Sequence, residues 1–299
     1  MRLFWVLAGL AGLATTVAVA QSSSRPAQGF RSGIEVTSIT ATVTDADGHP
    51  VTDLPREAFT VFDDGERQEV TQFTSDRVPL SLGVLLDTSD SMFGQRMADA
   101  RGAVEAFLFE QLTPTDEFFV MAFNHAPRLL SGWTSSRPVI VDALAGIRPT
   151  GGTALHDAVL AALPLIDARA HRRASLVVIS DGADTASTAT VRELRTGLHR
   201  SDALVYAIAI DSPSRHAINT RVDVPALVSL TAETGGRVET VHDTRDLAAA
   251  TARISAELSQ QYVLGYTSPR GNDGRFHSLR LRVNRPGLTV RARKGYIAG

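Results

Sequence analysis

Leu82-Gly83-Val84-Leu85-Leu86-Asp87-Thr88-Ser89-Asp90-Ser91-Met92 is an apolar run that stops at a carboxylate and continues in alternating hydroxyls. The run has the length and composition of a parallel strand buried on both faces. Asp87, Ser89 and Ser91 then put three oxygen donors within five residues. Donors this hard suit Mg²⁺ or Mn²⁺ rather than zinc. Alone, a D-x-S-x-S string is more often an ordinary polar loop after a strand, so its meaning depends on what else the chain brings to it.

Working outward, the segments from Pro79 on alternate between strand and helix patterns, which predicts an α/β fold with a doubly wound, mostly parallel sheet covered on both faces. Met97, Ala100, Val104, Phe107 or Leu108, and Leu112 recur at helical spacing up to Pro114. Residues 117–123 read as a strand, 128–133 as an edge strand and 138–147 as a short helix. Thr150-Gly151-Gly152-Thr153 is a tight loop before a helix over 154–168. A second apolar strand over 175–180 also stops at a carboxylate, Asp181-Gly182. Strands over 203–210 and 237–240 bracket a helix over 224–234 that ends at Gly235-Gly236, and a last helix covers 246–260.

Both flanks are β-rich. Residues 34–76 carry short strands and the turns Asp47-Gly48 and Asp64-Gly65, and 66–73 reads as one strand. Residues 261–299 alternate cleanly, with Leu279, Leu281 and Val283 opposite Arg280 and Arg282. Neither flank is large enough for a core of its own, so the two are expected to pack as one small β subdomain. Asp45-Ala46-Asp47-Gly48 is a turn and not a calcium loop, because Val43 and Leu54 stand where an EF-hand needs carboxylates.

The 299 residues are 43% hydrophobic and 21% charged with a formal net charge of -2, so no global charge points to nucleic acid or to a membrane surface. Met1-Arg2, the apolar stretch over 3–20 and Ala18-Val19-Ala20 read as a signal peptide cleaved after Ala20; an uncleaved membrane anchor is the competing reading. Residues 21–33 then form a polar tether. With no cysteine the chain has neither disulfides nor a lipidated cysteine, and a periplasmic or secreted product of a bacterium fits best.

Three segments therefore offer oxygens: Asp87, Ser89 and Ser91; Thr153; and Asp181. Open α/β sheets bind ligands beyond the carboxyl ends of their strands at the point where strand order reverses. Asp87-x-Ser89-x-Ser91, Thr153 in Thr150-Gly151-Gly152-Thr153 and Asp181 in Ser180-Asp181-Gly182 resemble the metal-ion-dependent adhesion site (MIDAS) of von Willebrand factor type A (VWA) domains, over residues 79–260. The resemblance implies a Rossmann-like sheet of order 3-2-1-4-5-6. It also implies Mg²⁺ held directly by Ser89 and Ser91, by Thr153 directly or through water, and by Asp87 and Asp181 mostly through water. The flanks, among them Val43-Thr44-Asp45-Ala46-Asp47-Gly48 and Gln261-Tyr262-Val263-Leu264-Gly265-Tyr266, are similar to a bacterial exported VWA-related subfamily. Position 90 departs from the family motif, which has Gly where this chain has Asp90.

A Mg²⁺ ion with neutral hydroxyls around it is under-neutralised and attracts an external carboxylate. The expected function is thus a non-enzymatic, metal-dependent protein-binding or adhesion module that takes an Asp or Glu of a partner protein. Asp90, Asn124, His125 and Asp184 are candidate rim residues, while His156 reads as an ordinary histidine. The alternatives are a structural envelope protein whose metal steadies the fold, or a metal-assisted hydrolase. No H-E-x-x-H pair or nucleophile elbow supports the hydrolase. Arg280, Arg282, Arg285, Arg291, Arg293 and Lys294 read first as a solvated face, with acidic envelope components as the alternative contact.

Overall fold

The computed structural model describes residues 36–212 and 222–299. The expected signal peptide (1–20), the tether (21–33) and the first two residues of the 34–76 segment lie outside the described residues.

The chain opens with β1 (Val36–Thr44), β2 (Phe59–Asp63), β3 (Glu66–Gln68) and β4 (Gln72–Thr74). The α/β region follows with β5 (Leu80–Asp87), α1 (Gln95–Ala106), β6 (Glu117–Phe123), β7 (Pro127–Thr134), α2 (Pro138–Ala145) and α3 (Leu155–Asp167). It continues with β8 (Arg173–Ser180), α4 (Val191–Arg200), β9 (Leu204–Ile210), α5 (Val224–Thr234), β10 (Val238–Val241) and α6 (Thr244–Ser259). The chain ends with β11 (Tyr262–Thr267), β12 (Phe276–Val283), β13 (Thr289–Ala292) and β14 (Gly295–Ile297).

The central sheet runs β10-β9-β8-β5-β6-β7. Its neighbours pair in parallel except for the edge strand β7, which is antiparallel to β6. Every residue of β5, β8 and β9 is buried, which explains their unbroken apolar sequences: both faces meet helices. Leu82, Val84 and Leu86 pack with α1, α2 and α6 on one face. Leu85, Leu176 and Val178 pack with α3, α4 and α5 on the other. Among the described residues no helix is long and apolar enough to cross a membrane.

Two four-stranded antiparallel sheets, β13-β1-β11-β4 and β14-β12-β2-β3, enclose a separate core of Ile39, Val43, Phe59, Val61, Tyr262, Leu264 and Tyr266. Each sheet mixes strands from before β5 with strands from after α6, so the chain leaves this β layer and returns to it. The layer is tied to the α/β region by Arg291 Nη2 to Glu257 Oε1 at 2.5 Å, by Lys294 N donating to Glu233 O at 3.1 Å, and by Arg173 Nη2 donating to Gln261 Oε1 at 3.0 Å.

Two elements differ from the sequence reading. The strand expected over 66–73 is broken: β3 pairs with β2 in one sheet and β4 with β11 in the other, because Val70 turns into the core between them. Helix α4 was not anticipated. It buries Leu194, Leu198 and His199 on one face of an otherwise polar and charged segment. Its start was nonetheless written in the sequence, as Thr190 and Glu193 form a reciprocal capping box.

Candidate metal centre

β5 and β8 run side by side with Leu86 opposite Ile179, so their carboxyl ends stop together. Asp87 is therefore level with Ser180, whose hydroxyl donates to Asp87 Oδ2 at 2.5 Å. Ser89 N donates to Asp87 Oδ1 at 2.9 Å, and both oxygens of this fully buried carboxylate are thereby aimed. Asp181, also fully buried, follows directly on Ser180. Gly182 has φ +85°, and a Cβ there would meet Asp223 O at 2.4 Å, so the strand can turn away from Asp181 only at glycine.

After Ser89 the chain makes a single 3₁₀ turn over Asp90–Met92. The Ser89 and Ser91 hydroxyls lie 3.0 Å apart. The Thr150-Gly151-Gly152-Thr153 loop is bound to this segment by Thr150 N donating to Thr88 O at 2.9 Å and Asp90 N donating to Gly151 O at 3.0 Å. Thr153 is buried and held by its backbone, its N donating to Thr185 Oγ1 at 2.9 Å and its O accepting from Thr185 N at 2.8 Å. Its own hydroxyl has no hydrogen-bond partner among the described residues.

Burial, and next to it the charge of Asp181, push Asp87 up to about 7. Two enclosed carboxylates this close call for positive charge. One cation is supplied by the protein: Arg96 is almost wholly buried, and its Nη1 reaches Asp181 Oδ2 at 3.1 Å and donates to Ser91 O at 3.2 Å. Its Nε donates to Ser212 O at 2.9 Å. The remaining set is all oxygen, with carboxylates behind hydroxyls and one hydroxyl unpartnered. This chemistry fits a hard divalent ion.

The rim residues fare differently. Asp90 is exposed and closes no side-chain contact with the group. His125 is exposed, but its Nδ1 lies 3.3 Å from where a Cβ on Gly151 would be, which puts the imidazole beside the loop. Asn124 is half-buried; its Oδ1 accepts from Ala126 N at 3.4 Å and its carbonyl accepts from Ala154 N at 2.6 Å. Asp184 is turned elsewhere: it accepts from Leu155 N at 2.9 Å and pairs with His156 Nδ1 at 3.2 Å, serving the N-terminus of α3. The sequence reading passed over Arg96 and Ser180. Ser180 stands directly before Asp181 in Ser180-Asp181-Gly182, whereas Arg96 is the second residue of α1 with nothing in the sequence to mark it as inward-facing.

Residues 82–183 match the von Willebrand factor type A domain family. No curated protein matches the chain in sequence. Among solved structures, the chain resembles the conserved hypothetical protein BatB from Bacteroides thetaiotaomicron at 18% identity and TM-score 0.50, covering 59% of this chain and 97% of that one. A von Willebrand factor type A protein from Catenulispora acidiphila aligns at 13% identity and TM-score 0.52 over 90% of this chain and 75% of that one, a span that includes the β layer. A mutant of the PilB minor pilin from Streptococcus sanguinis aligns at 11% identity and TM-score 0.51 over 62% of this chain and 63% of that one. Residues 82–183 thus carry the match to the von Willebrand factor type A domain family, and the mostly parallel sheet around them has the fold of these structures.

Proposed function

We propose that this protein is an exported, non-enzymatic binding module whose VWA domain takes an Asp or Glu carboxylate of a partner protein at a Mg²⁺ or Mn²⁺ site. Ser89, Ser91 and Thr153 would hold the ion, with Asp87 and Asp181 behind them. When bound, the ion supplies Lewis acidity for the incoming carboxylate. Asp87 keeps the Ser89 segment in register, Ser180 holds Asp87 in place, and Arg96 balances Asp181.

The observation that carries this reading is an all-oxygen set at the ends of two adjacent strands: the fully buried carboxylates of Asp87 and Asp181, the Ser89 and Ser91 hydroxyls 3.0 Å apart just after Asp87, and Thr153 in the loop bonded to that segment. Two buried carboxylates side by side cost stability unless positive charge meets them. The resemblance of the fold to a minor pilin agrees with binding rather than turnover. His125 and Asp90 then become rim residues that meet the partner, while Asp184 belongs to the scaffold.

The test is a thermal-shift titration with Mg²⁺ and Mn²⁺. The wild type is expected to gain stability saturably, as any ligand that binds only the folded state requires, and Thr153→Val and Ser89→Ala are expected to lose that gain while melting cooperatively. An equal gain in all three proteins would overturn the reading. Metal-dependent capture from envelope extract, abolished by EDTA and by Ser89→Ala, tests the partner arm.

A further inference from the structure

The parallel strands present the metal centre at their carboxyl ends; a second polar cleft opens near the opposite ends, where α4 runs into β9. This cleft of about 240 Å³ lies between the α/β region and the β layer. The α/β region contributes Arg200 and Asp202, and the β layer contributes Ser38, Asn272, Arg293 and Tyr296.

The arginine side chains of the cleft are not paired off. Asp202 is already engaged by Arg169 Nη2 at 2.6 Å. Among the described residues, neither the Arg200 nor the Arg293 side chain has an ion pair or a hydrogen bond. Arg293 stands over the Tyr296 ring, its guanidinium carbon 5.4 Å from the centroid, and its Nε is buried with no acceptor. Burial presses Arg293 below the ordinary arginine range, against the pull of Asp202 and the tyrosines. Arginine does not shed its proton to escape such a site, so the orphaned donor persists as a cost until an anion meets it.

The wall beneath is rigid. Tyr296 Oη and Ser268 Oγ lie 2.6 Å apart, and each donates to the buried Asp63 Oδ2 at 2.9 Å. Tyr266 Oη adds a third donor to the same oxygen at 2.9 Å. The ring face under Arg293 is thus held before any ligand arrives, which lowers the entropic cost of binding. Surface arginines usually wave in solvent, whereas Arg293 has its stem packed and its fork directed by a stacked ring.

We propose that this cleft binds a small free oxyanion-bearing molecule, a phosphate or a short carboxylate, through Arg293 of the β layer and Arg200 of the α/β region. Arg293 presents the planar fork that accepts such groups bidentately. A ligand held by both arginines bridges the two layers and stiffens their junction. This inference is independent of the metal reading.

The experiment is isothermal titration of the full chain with inorganic phosphate and, separately, succinate, against sodium chloride at matched ionic strength. Saturable heat is expected with at least one oxyanion and none with chloride. Arg293→Gln is expected to weaken the affinity by about tenfold or more, the loss of a charge-assisted bidentate contact. Arg200→Gln, an exposed substitution that keeps the fold, is expected to weaken it as well, and Mn²⁺-induced thermal shift is expected to be unchanged in this variant. No saturable binding of either oxyanion by the wild type up to about 10 mM would overturn the proposal, since a cleft that weak holds no specific ligand. So would unchanged affinity in Arg200→Gln and in every folded Arg293 variant.

Discussion

Arg96 shows how a single residue can belong to a site without being a ligand. It is buried with Asp181, and it also holds the carbonyls of Ser91 and Ser212. Removing one partner of a buried pair leaves the other charge uncompensated, which costs far more than the pair itself contributes. Arg96→Met is therefore expected to lose about 3–5 kcal/mol in urea unfolding with EDTA present. Asp181→Asn in the same background should recover part of that loss. Equal stability of the Arg96 single variant and wild type would show that Asp181 is solvated instead. The positions of the candidate oxygen donors were legible because each stands at a place the chain marks: Asp87 and Asp181 where apolar strands stop, Thr153 after two glycines. Arg96 carried no such mark, since a basic residue in the first turn of a helix reads as exposed unless its partner's position is known.

At the scale of an element, β12 enters the hairpin of β2 and β3 through His277, which is buried between two carboxylates. Its Nδ1 is 2.8 Å from Asp64 Oδ2 and its Nε2 3.0 Å from Asp273 Oδ1, with Arg270 3.7 Å from Asp64 Oδ2. Asp64 itself has φ +48°, the left-handed first position of a two-residue Asp-Gly turn. The bond to Asp64, and after it Asp273, raise His277, while the same contact and that of Ser278 N lower Asp64. A histidine raised on folding contributes stability that is full below its unfolded value near 6.5 and is lost as pH rises through the folded value. The lowered carboxylates contribute above about 4 and lose that contribution as pH falls through their folded values. Melting temperature is thus expected to drop as pH rises above about 6.5, with His277→Gln flattening that part of the profile. A parallel profile in the variant would locate the pH dependence elsewhere. The sequence announced the strand and its Asp-Gly turn, yet not the clamp, because Asp64 and His277 meet only when β12 pairs with β2.

At the scale of the whole molecule, the α/β region and the β layer meet where α5 ends. Gly235 caps α5 with φ +91°, and a Cβ on it would lie 2.5 Å from the Ala292 carbonyl carbon of β13. Both the backbone angle and the approach of another strand require glycine. Gly235→Ala is expected to destabilise the chain by about 1–3 kcal/mol and to loosen β13 and β14, read as faster amide exchange there than in β5 and β8. Uniform exchange rates across both regions would mean that the two unfold as one unit and that the junction tolerates the methyl group.

Taken alone, the sequence determined the α/β class, the mostly parallel sheet and the buried central strand, and it named Asp87, Ser89, Ser91, Thr153 and Asp181 as candidate oxygen donors. Those features come from local pattern: unbroken apolar runs, helical spacing and glycine-bearing loops, all of which act over a few residues. Tertiary structure alone decided which side chains meet across sequence separations of tens to hundreds of residues. It turned Asp184 to α3, put Arg96 against Asp181, split the 66–73 segment between two sheets and left Arg293 without an acceptor. Packing brings such groups together only after the chain has returned on itself, and a linear pattern carries no record of which distant charge or backbone atom will be waiting there.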